Sequence, residues 1–155
     1  MVSQQILHIL KEKHILLAQA LKVILLQNSC FENDTFDEEY YEKLQKQQDS
    51  YIERIDYWNN QFEELFPKAI SELRGLIQNN DVVALEIHTE SEKLEELSRE
   101  LEKEELELKE KFQQYLSSQR KEINSKRLQK KTAATYYKTM TKQMDEISYF
   151  YDRSR

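Results

Sequence analysis

Glycine and proline are nearly missing from this sequence, because each occurs once in 155 residues, as Gly75 and Pro67. Average usage would give roughly nineteen of the two together. Since these residues favour tight turns, few turns are expected. The chain is rich instead in Leu, Glu, Lys and Gln, which keep most of their side-chain freedom in a helix. The composition therefore predicts an all-α fold built from few, long helices.

Cysteine and long apolar runs are also scarce. Cys30 is the single cysteine, so no intramolecular disulfide can form and nothing indicates an oxidising compartment. The most apolar stretch, residues 15–26, is interrupted by Gln19 and Lys22 and is shorter than the ~20 residues that cross a bilayer. It also lacks the layout of a signal peptide. We expect a cytoplasmic protein with no membrane insertion.

Groups of residues that carry chemistry are absent as well. The three histidines, His8, His14 and His88, include no pair at the i, i+4 spacing of a helical zinc site. No glycine-rich loop is available to hold a phosphate or a nucleotide. The glutamates alternate with lysines, which is typical of solvated ion pairs on helix surfaces. We expect neither an enzyme nor a protein with a metal or other cofactor.

Hydrophobic spacing predicts an elongated antiparallel bundle, or coiled coil, of three long helices within residues 1–131. The first helix covers about residues 3–27, and its apolar stripe is wide enough to lie between two other helices at the centre of the bundle. The second covers residues 36–78, begins with a capping box of Thr35 and Glu38, and has a kink or break near Pro67. Its apolar seam is expected to follow every third or fourth residue: Tyr41, Leu44, Gln48, Tyr51, Ile55, Trp58, Phe62, Leu65 and Ala69.

The third predicted helix, residues 82–131, follows a tight hairpin at residues 79–81. It has a heptad row of large residues, with Leu97 and Phe112 in the alternate layer. The row consists of Ile87, Leu94, Leu101, Leu108 and Tyr115. This helix would be longer than the first one can cover, so its end is either exposed or covered by a second subunit. A homodimer formed by helix exchange would bury the same seams as a monomer.

The last quarter of the chain differs in charge and pattern. Residues 1–119 hold 13 Lys or Arg against 25 Asp or Glu, a net charge of −12, and residues 120–155 hold 10 against 4, a net charge of +6. Residues 132–155 are predicted to form an amphipathic C-terminal helical tail. Its tyrosines and methionines suit a protein-binding surface. The alternative is that the same strip packs back on the first helix as core.

The basic residues of positions 120–155 are too diffuse to indicate a polyanionic partner. Four acidic residues lie among the ten basic ones, and the net charge of −12 on the remaining chain would repel nucleic acid or an anionic membrane. We therefore expect a protein partner, with no binding of nucleic acid.

Four stretches of the sequence resemble the FlgN/FliT-like flagellar export chaperone family of clostridial type. They are residues 37–41 (DEEYY), 47–56 (QQDSYIERID), 133–140 (AATYYKTM) and 148–153 (SYFYDR). The resemblance implies a cytoplasmic chaperone that binds hook-associated filament-junction proteins, prevents their premature assembly and delivers them to the type III export apparatus. It also implies that the C-terminal segment binds the client protein, at positions Tyr136, Tyr137, Met140, Met144, Ile147, Phe150 and Tyr151. The competing hypothesis is a structural coiled-coil adaptor or scaffold.

Overall fold

The computed structural model describes residues 1–32, 35–119 and 133–154, and all regular structure within these residues is α-helical. Four helices lie within them: α1 (Val2–Ser29), α2 (Glu38–Gln78), α3 (Val82–Gln119) and α4 (Ala133–Ser154). The expected all-α class is confirmed. The part of the third predicted helix after residue 119 lies outside the described residues.

The four helices form one bundle. α1 packs along α2 and α3, and α4 packs against α3 and α2 on the other side, so that α1 and α4 lie at opposite corners. α1 and α3 are parallel to each other and antiparallel to α2 and α4. Two contacts for each of three helix pairs establish these directions. They are Ser3–Glu72 and Gln27–Gln45 between α1 and α2, His14–Glu90 and Asn28–Glu104 between α1 and α3, and Gln48–Tyr137 and Phe66–Phe150 between α2 and α4. The C-terminal helix is thus the fourth member of the bundle and not a tail attached to three helices.

α1 lies between two neighbours because its apolar stripe is wide. Leu10 and Leu17 are fully buried, and the second row beside them is buried at Ile9, Leu16 and Ala20. Each large aliphatic side chain removed from water in this way contributes roughly 1.5–3 kcal/mol. The expectation that this helix lies between two others agrees with its packing against α2 and α3, but its position is one corner of a four-helix bundle and not the centre.

The start of α2 differs from the expectation. The helix begins at Glu38, and its N-cap is Asp37, whose Oδ1 accepts a hydrogen bond from the Tyr40 amide at 3.1 Å. Thr35 lies before the cap, so the predicted capping box with Glu38 is wrong. A carboxylate at the N-cap satisfies an unpaired amide and also interacts favourably with the helix dipole, which explains why Asp37 takes this role.

The buried face of α2 is rotated by one residue from the predicted seam in several turns. Tyr51, Trp58 and Leu65 are only partly buried. Their neighbours on the C-terminal side are buried instead: Ile52, Asn59 and Phe66. This difference comes from the tertiary packing, because α2 packs between α1 and α4. The sequence pattern of α2 does not indicate on which side α4 lies.

Pro67 does not break α2, which continues to Gln78. The hairpin expected after it is present: Asn80 has a positive φ of 52°, and the Asp81 amide donates to the Leu76 carbonyl oxygen at 2.9 Å. The Asp81 carboxylate then accepts from the Val83 amide at 2.9 Å and caps α3. This short connection sends the chain diagonally across the bundle from α2 to α3.

Four residues of the heptad row of α3 are in the core, namely Ile87, Leu94, Leu101 and Leu108, and Tyr115 is partly buried. In the alternate layer Phe112 is buried as expected, whereas Leu97 is only partly buried. Small residues share that layer with Phe112 at intervals of seven: Ala84, Ser91 and Ser98. The far end of α3 is covered within the chain by aromatic residues of the connection between α1 and α2 and of the first turn of α2. Phe36 lies against Tyr115 with 4.3 Å between ring centroids, and Tyr41 stacks on Phe112 at 5.4 Å. This end of α3 therefore needs no second subunit to cover it up to Tyr115.

Candidate functional site

α4 buries one face against α2 and α3. We call this set the docking face, and its members are Tyr137, Met140, Gln143, Met144 and Ile147. The residues recur every three or four positions, so they form a single stripe along the helix. Lys138 and Lys142 lie exposed on the other side. An amphipathic helix of this kind must cover its apolar stripe, and the groove between α2 and α3 covers it here.

The structure thus places most of the predicted client-binding residues in the core. Tyr137, Met140 and Met144 have no exposed area, and Ile147 is 1% exposed. In this conformation they are part of the core, as the alternative interpretation expected, but they pack against α2 and α3 and not against α1. Tyr136 belongs to α4, and its side chain lies outside the described residues.

The last predicted residues, Phe150 and Tyr151, lie half-buried near the C-terminal end of α4. Phe150 contacts the edge of Phe66, with 6.2 Å between ring centroids, and the Arg74 guanidinium lies 5.4 Å from its ring centre. Tyr151 stacks on His88 at 4.3 Å. These aromatic contacts fix the end of α4 to both neighbouring helices.

Near the other end, the Tyr137 hydroxyl lies inside the bundle. Gln48 Nε2 donates to this hydroxyl oxygen at 3.4 Å, which is a long hydrogen bond. Burial, together with the nearby Glu105 carboxylate, raises the pKa of the Tyr137 hydroxyl well above its usual value. The hydroxyl is therefore neutral over the whole physiological range.

A cluster of polar side chains interrupts the apolar contact at the centre of α4. We call it the polar layer, and it consists of Lys13, Asn59, Glu63 and Gln143. Lys13 Nζ donates to Gln143 Oε1 at 2.5 Å. Gln143 Nε2 donates to Glu63 Oε1 at 2.9 Å and to the Asn59 carbonyl oxygen at 3.3 Å. One glutamine side chain thus joins α4 to both α1 and α2.

Lys13 is unusual because it is a fully buried lysine. Its Nζ lies 4.7 Å from the centre of the Phe62 ring. Burial disfavours the ammonium form and lowers the pKa of Lys13 from 10.5 to about 7, although the Glu63 carboxylate acts in the opposite direction. Near neutral pH Lys13 is therefore much more readily deprotonated than a solvent-exposed lysine, which would be charged.

Several buried polar atoms beside α4 have no hydrogen-bond partner among the described residues. They are both side-chain amide atoms of Asn59 and the Oε1 atom of Gln48. A buried polar atom left without a partner costs about 1–3 kcal/mol. The contact that holds α4 is consequently weaker than an apolar contact of the same size would be.

The predicted site contained none of the polar layer. Lys13 nevertheless lies on a row of α1 with apolar residues three and four positions away on both sides, so its burial could have been inferred from spacing. The row consists of Ile6, Leu10, Lys13, Leu17 and Ala20. Asn59 was missed because the seam was placed on Trp58. The burial of Gln143 could not have been inferred from spacing. A glutamine next to the apolar stripe of Met140 and Met144 is equally compatible with the partly exposed border of that stripe.

Other parts of the described chain show fewer features of a functional site. On the outer side of α1 and α2 an open groove of 480 Å³ is lined in part by Ile15, Tyr57 and Trp58. The described residues include no group of three or more potential metal-ligating side chains. Among the helices described, none is long and apolar enough to cross a membrane.

These features define an all-α bundle whose fourth helix docks through an apolar face with a buried polar layer at its centre. In comparisons with known proteins, the sequence matches no protein-family model, no curated protein and no solved structure.

Proposed function

We propose that this chain is a cytoplasmic chaperone of bacterial flagellar type III export. It binds hook-associated filament-junction proteins, prevents their premature assembly and delivers them to the export apparatus. Binding requires neither a cofactor nor catalysis. The observation that supports the proposal is that four of the seven client-binding residues implied by the family resemblance belong to the docking face of α4. This face is held by a contact that contains buried polar groups.

In this mechanism α4 leaves the bundle when a client binds. Its release uncovers the docking face and the groove between α2 and α3, and both are apolar surfaces suited to a client helix. The exchange conserves buried apolar area, because the client covers what α4 had covered. Lys13 lies under the occupied groove in both states, so the cost of burying its amine is common to both and does not oppose the exchange. The difference in free energy between the docked and the exchanged state is therefore small enough for a client to shift the population.

The residue types of the docking face fit this role. Met140 and Met144 are unbranched and can adapt to partners of different shape. Tyr137 supplies a large rigid side chain with few rotatable bonds, a property common among residues that dominate binding energy. Lys138 and Lys142 remain exposed beside the face and can orient an acidic client during encounter.

The proposal is tested by fixing α4 in the bundle. Glu63 and Glu146 are both exposed, and Glu63 accepts from Gln143, which lies one turn before Glu146. The variant Glu63→Cys with Glu146→Cys, made in a Cys30→Ser background, is bridged with a short bismaleimide. We expect the bridged protein to lose capture of a co-expressed hook-associated protein and the unbridged protein to retain it.

A matched bridge between α1 and α3 controls for cross-linking itself. Lys11 Nζ lies 3.9 Å from Glu86 Oε2, and both side chains are about half exposed. The variant Lys11→Cys with Glu86→Cys should capture the client before and after bridging. Capture by the protein with α4 fixed would refute the release of α4. Failure of every form to capture a hook-associated protein would refute the flagellar assignment.

The second candidate is a structural coiled-coil adaptor or scaffold, and the complete burial of Tyr137, Met140 and Met144 favours it. A scaffold needs no exchange of α4, so α4 should resist proteolysis as well as the other helices do. A chaperone should be cut by trypsin at Lys138 or Lys142 sooner than in α1 or α2, and a client should slow this cutting. Limited proteolysis with mapping of the first cuts separates the two.

A further inference from the structure

Lys13 of α1 lies at the floor of the groove that α4 occupies. Its amine has hydrogen atoms to donate in either protonation state. Its acceptor in the described structure is Gln143 Oε1, at 2.5 Å. Because Lys13 is fully buried, no water reaches it while α4 is docked. Any helix that occupies the groove must therefore supply an acceptor at this level or leave the amine unpaired.

We propose that Lys13 determines which helices the groove accepts, and that the accepted helix presents a side-chain carboxamide to it. For α4 itself this inference is independent of the proposed function. For a client protein it rests on the proposed function, because a client helix enters only if α4 leaves. The partner so defined is an amphipathic helix with glutamine at its centre.

The carboxamide is preferred because it both accepts and donates. Gln143 accepts from Lys13 through Oε1, and through Nε2 it donates to Glu63 and to the Asn59 carbonyl oxygen. A carboxylate at this position could accept from Lys13 but could not donate, and it would place a second negative charge beside Glu63. A leucine would do neither, and the Lys13 amine would remain buried without an acceptor.

The docking face also defines the spacing around this amide. Large side chains lie six and three residues before Gln143 and one and four residues after it: Tyr137, Met140, Met144 and Ile147. A buried polar contact within an apolar seam fixes the register of a helix, because a shift by one turn separates the polar partners. The same contact therefore selects both the sequence and the position of the helix that occupies the groove.

The test measures opening of α4 by hydrogen exchange of its backbone amides in the full-length chain. Gln143→Leu should increase the opening equilibrium on the order of ten- to hundredfold, because Lys13 loses its acceptor. Gln143→Glu should give a smaller increase. Lys13→Met combined with Gln143→Leu should bring opening back to the wild-type level or below it, since both polar partners are then replaced by apolar side chains of similar size.

The result that would overturn the inference is unchanged or slower exchange of α4 in Gln143→Leu with Lys13 present. A faster exchange in the double variant than in Gln143→Leu would also overturn it. Amides of α1 report whether the rest of the bundle stays folded, and if Gln143→Leu unfolds the whole chain, recovery of folding in the double variant supports the inference. Client capture is measured separately, so its failure would refute the proposed function and leave the result for α4 standing.

Discussion

Replacing Lys13 by methionine should make the protein more stable at neutral pH. Burial lowers the pKa of Lys13 from 10.5 to about 7, and a difference of this size corresponds to roughly 4–5 kcal/mol lost from the folded state where the group is charged in the unfolded chain. Methionine has a similar length and carries no charge. Its gain is reduced by about 1–3 kcal/mol, because Gln143 Oε1 then loses its donor. We expect a net stabilisation of about 2 kcal/mol near pH 7.

The lowered pKa of Lys13 also predicts how the stability of the wild type changes with pH. A lysine with a lowered pKa binds fewer protons in the folded state, so the stability of the wild type rises with pH between about 7 and 10.5. The slope can reach about 1.4 kcal/mol per pH unit. Below about pH 7 the full cost of burying the Lys13 amine lowers the stability, and above about pH 10.5 this cost vanishes. The advantage of Lys13→Met should therefore shrink as the pH rises and reverse near the upper end of this pH range.

The assay is urea unfolding followed by far-UV circular dichroism at several pH values from about 6.5 to about 9.5. Lys11→Met is the matched control, because Lys11 is on the same helix but half exposed, with Glu86 at 3.9 Å. The control should follow the pH dependence of the wild type. If Lys13→Met also follows it, the buried amine does not titrate as its surroundings indicate, and the reasoning is refuted.

Two further substitutions test the fold. Asp37→Ala should lower the free energy of unfolding by about 1 kcal/mol, because the Tyr40 amide loses its hydrogen-bond acceptor. Thr35→Ala should have little effect. Equal losses of stability in the two variants would contradict the assignment of Asp37 as the cap. Gly75→Ala should raise the free energy of unfolding by about 0.5–1 kcal/mol, because Gly75 is inside α2 and an added Cβ would meet no atom within 4 Å apart from its neighbours in the chain and the backbone of its own helix. A loss of stability in the same unfolding assay would contradict this placement.

Much of the fold could be predicted from the positions of apolar residues and the scarcity of turn residues. The first three helices, the hairpin at residues 79–81 and the buried heptad row of α3 all follow from local patterns. The cap of α2 could not be separated from its alternative, because Thr35 and Asp37 are both suitable capping residues within three positions of each other. The chain geometry around them decides which one reaches an amide.

The candidate site was predicted only in its apolar part. Spacing identified the stripe of α4 through Met140 and Met144, but not whether it is exposed or buried, since a binding surface and a core face have the same amphipathic pattern. The polar layer forms only where side chains from three helices, α1, α2 and α4, come together. Lys13, Asn59 and Gln143 are distant in sequence, so no local pattern indicates that they meet.

The sequence by itself determined that the chain is helical, that its helices are long, and that its last segment carries one apolar face. These properties depend on helix propensity and on the period of 3.6 residues, both of which act within a few turns. The tertiary structure alone decided that this face docks between α2 and α3, and that a buried lysine lies at the centre of the contact. The pKa of Lys13 and the cost of its burial depend on atoms from other helices, because desolvation is a property of the surroundings and not of the residue.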